Sequence, residues 1–119
     1  MSAGTPNVPA LFVNRYSFKM VKHIVTFQLN GTNDERLAVA RRFKAALKAL
    51  PAQIDVLQSI EVGINENPGE DWDVVLTAIV PTMADVATYA QHPAHVAAAS
   101  LLAGHKAARA CVDYQTVDN

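Results

Sequence analysis

The alternation of apolar and polar residues from Val21 to Leu29 is the clearest pattern in the chain. Val21, His23, Val25, Phe27 and Leu29 fall on one side, and Lys22, Ile24, Thr26 and Gln28 on the other. A period of two predicts a strand, and its more apolar side is the one to pack on helices. Gly31 then makes a turn, and Thr32-Asn33-Asp34-Glu35 reads as a capping box, with the acid three residues after the cap. The helix it opens is predicted to run to about Leu50, with Val39, Phe43, Ala46, Leu47 and Leu50 as its buried stripe. Strands are predicted over Ile54–Asn65 and Trp72–Val80, joined by a loop rich in Asn, Pro and Gly. Thr82 to Asp85 caps a short helix to Gln91; a second helix is expected from Pro93 to about Ala108, and a last strand over Arg109–Gln115. On that strand Arg109, Cys111 and Asp113 share one side, and Ala110, Val112 and Tyr114 the other.

Strand, helix, strand, strand, broken helix, strand is the split βαβ order of a ferredoxin-like α+β fold, an antiparallel sheet with helices on one face. The other face would carry Ile24, Val75, Ile79 and Val112, too apolar to leave wet. The simplest cover is a second copy packed sheet to sheet, giving a homodimer and a dimeric α+β barrel. Met1 to Lys19 differ in character: Ser, Gly, Thr, Asn and Pro come first, then Leu11-Phe12-Val13 and Tyr16-Ser17-Phe18. A disordered leader is one reading; the one favoured is a partly docked extension, as an extra edge strand or a strap across the partner copy, ahead of one domain over residues 20–119.

Composition narrows the function by exclusion. The 119 residues suffice for one domain and its core. A net charge of −1 with scattered Lys and Arg leaves no basic stripe, so nucleic acid is not an expected partner. No apolar run has the ~20 residues of a membrane span, and the N-terminus lacks a signal-peptide pattern. Cys111 is the sole cysteine, which precludes an internal disulfide and fits a reducing, cytoplasmic setting.

The chemistry concentrates in Tyr89-Ala90-Gln91-His92-Pro93-Ala94-His95-Val96. Pro93 should end one helix and open the next, with His92 as N-cap. His95 then lies in a first helical turn, where the dipole disfavours imidazolium. Two readings stand side by side. In one, this is a helix–Pro–helix corner whose histidines cap and pack. In the other, Tyr89 and His95 form an acid–base pair at the mouth of a pocket, with neutral His95 removing a proton α to a carbonyl. His23, Val25 and Phe27, on the inner side of the first strand, would line that pocket, His23 orienting a substrate or relaying a proton, and Arg109 would bind a carboxylate if it faces inward. His92 and His95, three residues apart, are candidate metal ligands, but Pro93 puts His92 outside the helix proper and no cysteine or carboxylate is nearby in sequence; no metal and no cofactor are expected.

Met20-Val21-Lys22-His23-Ile24-Val25, Ser59-Ile60-Glu61-Val62-Gly63, Tyr89 followed by His92-Pro93-Ala94-His95-Val96, and Val112-Asp113-Tyr114 resemble, at matching spacing from about Met20 to Gln115, the stress-responsive A/B barrel (Dabb) family. The resemblance implies a homodimeric α+β barrel of ferredoxin-like protomers. Many members are stress-induced proteins without known activity, which keeps a non-enzymatic binding or structural role as the alternative. Around the corner the chain is similar to olivetolic acid cyclase-like members, cofactor-independent enzymes that close a polyketide by aldol condensation. That similarity puts catalytic roles on Tyr89 and His95 and pocket roles on His23 and His92. It implies a small carbonyl or polyketide-like ligand and cyclase or lyase chemistry. Ala98, Ala99, Val74 and Arg109 stand where those members carry other pocket residues, so the acid–base pair carries over more fully than the substrate.

Overall fold

The computed structural model describes residues 19–116. The extension expected over residues 1–19 therefore lies, but for Lys19, outside the described residues. β1 (Val21–Leu29) alternates as expected, with Val21, His23, Val25, Phe27 and Leu29 buried. Gly31 takes a φ of 110°, a region open to glycine at little cost. It leads into α1 (Asn33–Lys48), whose capping box is complete: the Glu35 amide donates to Thr32 Oγ1 and the Thr32 amide to Glu35 Oε1. α1 buries Val39, Ala40, Phe43 and Leu47 against the sheet, and Phe43 meets Phe27 edge-on at 5.6 Å.

The second strand is shorter than its apolar pattern suggests. β2 is Ser59–Ile64; Ile54 and Leu57 are buried ahead of it, in a turn. Their amides bond Leu50 and Ile54 carbonyls rather than a neighbouring strand. Two apolar residues three apart both reach the core only if the chain coils there. β3 is Val74–Val80, and Trp72 and Asp73 belong to the preceding loop. The Asp73 carboxylate accepts from the Leu29 amide at 2.7 Å and from Arg36 Nε at 3.1 Å, tying that loop to the end of β1 and to α1.

α2 (Met83–Gln91) and α3 (Pro93–Ala99) follow. Here the expectation fails: α3 does not continue to Ala108. It gives way to a 3-10 turn at Ser100–Leu102, Gly104 turns at a φ of 77°, and β4 spans Lys106–Gln115. Alanine favours helix, but Leu102 is the last large apolar residue before the turn, and pairing with β1 claims the chain beyond it.

The sheet order is β2-β3-β1-β4, all neighbours antiparallel, a ferredoxin-like α+β arrangement with the helices on one face. The opposite face bears Val75, Val112 and Tyr114, at 39%, 61% and 42% exposed.

Candidate active site

The corner is built around one proline. His92 adopts φ −62° and ψ 136°, ending α2 and capping α3. Pro93 has no amide hydrogen to give, so α3 needs another way to satisfy its first donors. His92 Nδ1 accepts from the Ala94 amide at 3.0 Å. In a continuous helix that amide would bond the Ala90 carbonyl. Here the carbonyl instead accepts from His95 Nδ1, 2.9 Å away. A carbonyl only accepts, so His95 Nδ1 bears the hydrogen, and the neutral ring carries its free lone pair on Nε2. Burial pushes the His95 pKa below its ordinary value, opposed by the bond to Ala90 and helped by the charges of His23 and Arg109. The chief cause is thus burial; the helix dipole was the expectation.

Tyr89 sits on α2, wholly buried, against the His95 ring at 4.6 Å and edge-on to His23 at 5.8 Å. Its hydroxyl is buried and has no hydrogen-bond partner among the described residues. Loss of water around it lifts its pKa to about 12, so at neutral pH the phenol stays protonated and can donate a hydrogen bond.

Register fixes the third side. His23 on β1 stands opposite Asp113 on β4, and Val25 opposite Cys111. His23 Nδ1 lies 2.6 Å from Asp113 Oδ1 and 3.5 Å from Cys111 Sγ. The Cys111 thiol is pushed up by burial first and by the Asp113 charge second. A cavity of about 580 Å³ opens between sheet and helices, walled by His23, Val25, Phe27, Tyr89, His95 and Arg109 among others. It is larger than a hollow of about 310 Å³ beside Arg36 and Asp73 and a groove of about 360 Å³ near Trp72.

Six of the seven residues singled out in the sequence therefore share one cavity, Arg109 included. His92 is not among its walls; its imidazole is engaged in the helix cap. His92 and His95, the candidate metal pair, spend their Nδ1 atoms on different backbone groups. Sequence reasoning missed Asp113, Cys111 and Lys106 as cavity residues. The alternation of the last strand had put Cys111 and Asp113 on the same side as Arg109, but which β1 residue they oppose depends on register.

A four-stranded antiparallel sheet with helices over a cavity on one face defines a ferredoxin-like α+β protein. The chain belongs to the stress responsive A/B barrel domain family, whose model matches residues 21–116. A dimeric protein of unknown function and ferredoxin-like fold from Bacteroides fragilis is 51% identical over 81% of this chain and 95% of the other, with a TM-score of 0.78. A dimeric ferredoxin-like protein of unknown function from Thermobifida fusca is 26% identical over 83% and 92%, TM-score 0.67. A hydroxynitrile lyase from Passiflora edulis aligns over 84% and 95% with a TM-score of 0.67, but at 12% identity that likeness is one of fold alone. The comparison with curated proteins finds no match. No helix among the described residues is long and apolar enough to cross a membrane.

Proposed function

We propose that the protein is a homodimeric small-molecule enzyme using cofactor-independent acid–base chemistry, of the aldol, cyclase or lyase type, on a carbonyl compound. The observation that carries this is the pairing of a buried Tyr89 hydroxyl, without a partner among the described residues, with a neutral His95 beside a cavity. Leaving such a hydroxyl unsatisfied costs about 1–3 kcal/mol. A ligand carbonyl oxygen would supply the missing acceptor. His95 Nε2 would remove the α-proton while the phenol donates a hydrogen bond to the enolate oxygen. Such acid–base help contributes about 10² to 10⁴ in rate. His23, held by Asp113, would orient the substrate. Arg109 and Lys106, both on the cavity wall, favour a substrate that carries a carboxylate.

The apolar open face and the dimeric state of the Bacteroides fragilis relative support the dimer. A non-enzymatic binding protein is the second reading, and one feature favours it. Tyr89 is wholly buried, as a phenol that merely props the corner against the sheet would be.

The test is a thermal-shift screen of the protein with small keto acids, phenols and polyketide mimics, followed by turnover assays on each hit. We expect a carboxylate-bearing ligand that binds His95→Ala but is turned over about 10² times or more slowly by it. Unchanged turnover in His95→Ala removes the catalytic reading. Ligand binding without any turnover in the unaltered protein favours the binding module.

A further inference from the structure

His23, Cys111 and Asp113 each offer one ligand atom, and those atoms lie within 4.8 Å of one another on the cavity wall. The acid–base reading uses His23 only to orient a substrate and gives Cys111 no role. We propose that these three side chains bind one thiophilic divalent cation of the zinc class, with a fourth position left to water or a cavity ligand.

Separation is the first argument. In four-coordinate zinc sites the metal–ligand lengths for sulfur, nitrogen and oxygen put ligand atoms about 3.4–3.6 Å apart. Cys111 Sγ is 3.5 Å from His23 Nδ1 and 3.8 Å from Asp113 Oδ2. The sulfur–nitrogen edge therefore stands near its required length without a metal, and the sulfur is close to the carboxylate through Oδ2. The other carboxylate oxygen, Asp113 Oδ1, lies 2.6 Å from His23 Nδ1 because a hydrogen bond joins the two atoms, so one oxygen must turn to serve both neighbours. Replacing that proton by a metal needs an opening of about 0.8 Å.

Framework is the second argument. All three ligands come from adjacent strands paired in register, His23 directly opposite Asp113 and Cys111 two residues along the same side. Strand-borne ligands hold their spacing better than loop-borne ones. His23 is 7% exposed, and the Asp113 side chain keeps 24% of its surface, so the site is enclosed yet reachable.

The charges and protons balance. Thiolate and carboxylate supply two negative charges for a dication, leaving a neutral site beside Arg109 on the same strand. On binding, the Cys111 thiol releases its proton to solvent. His23 gives up the Nδ1 hydrogen it shares with Asp113, to Nε2 when the ring is neutral or to solvent when it is an imidazolium, freeing Nδ1 to coordinate. Nothing is oxidised or reduced. A mixed nitrogen, sulfur and oxygen set suits zinc and disfavours magnesium or calcium.

The site shares His23 and Asp113 with the acid–base reading but not its acid or its base, because neither Tyr89 nor His95 is a ligand. Titration calorimetry of the full chain with zinc chloride, kept reduced by a non-chelating phosphine, tests it. We expect one zinc per chain, with affinity falling about tenfold or more in Cys111→Ser and in Asp113→Asn. Cobalt in place of zinc should give a near-ultraviolet sulfur-to-metal absorption that Cys111→Ser abolishes. His95→Ala should bind zinc with unchanged stoichiometry. Circular dichroism of each variant establishes that it is folded before titration. No saturable zinc binding, or binding unaltered in Cys111→Ser, overturns the proposal, and loss of binding in His95→Ala overturns this ligand set.

Discussion

At the scale of single residues, the Tyr89 hydroxyl and the His95 ring make opposite demands on stability. Removing an unsatisfied buried hydroxyl while keeping the ring relieves a desolvation penalty without opening a large void. Tyr89→Phe should therefore be neutral or up to about 1 kcal/mol more stable by chemical denaturation. The same variant should lose turnover of any substrate found. A destabilised Tyr89→Phe would mean the hydroxyl has a partner in solution. For His95 the sign runs through its lowered pKa. The native state then holds fewer protons than the unfolded chain once the pH drops below the ordinary value of 6.5. The stability it contributes is present in full above pH 6.5 and is lost as pH falls from there through the native value. In His95→Gln that part of the stability slope should vanish, read from denaturation midpoints at successive pH values. These two residues were legible in the sequence because a proline next to histidines is a strong local signal. Their common partner, the cavity, was not, since it needs β1 and β4 side by side.

At the scale of elements, the corner and the strand ends show what local pattern carries. Capping chemistry was readable at Thr32, Thr82 and His92, because each cap depends on residues two or three positions away. Where boundaries shifted, a contact distant in sequence decided them. Asp73 closes the near end of β3: its amide donates to the Phe27 carbonyl and its carboxylate accepts from Leu29 and Arg36, all contacts far off in sequence. Pairing with β1 draws Lys106 to Ala108 into β4 against the helical preference of alanine. The His92 cap yields a prediction at this scale. His92→Ala should cost about 1 kcal/mol in unfolding free energy, and His92→Asn, which retains a capping acceptor, should restore most of it. Because His92 is not on the cavity wall, neither change should alter ligand affinity more than about twofold. A large loss of binding in the folded His92→Asn protein would return His92 to the pocket, the role the family resemblance implied.

At the scale of the whole molecule, the two faces of the sheet divide the labour. The inner face of β1 supplies His23, Val25 and Phe27 to the cavity, and the same alternation turns Ile24 outward beside Val75 and Val112. That outer face was legible from period alone, since an apolar residue between two cavity residues on a strand has only the far side to occupy. A twofold packing of two such faces places every residue in the interface twice. Val112, 61% exposed on one chain, is therefore the position where one change acts doubly. A carboxylate buried there, with Lys22 only diagonal to it on the same face, is desolvated at an effective penalty of several kcal/mol per ion. Val112→Glu should weaken dimerisation by about 10² or more, read by light scattering across a dilution series. Arg42→Glu, equally a change of charge but on the exposed side of α1, should leave the mass unchanged. If Val112→Glu also remains a dimer at the lowest concentrations, the copies meet elsewhere, and the open face must be covered by something other than its twin. If instead it becomes a folded monomer that still binds ligand, the cavity is complete within one chain, and dimerisation serves to cover the sheet rather than to build the site.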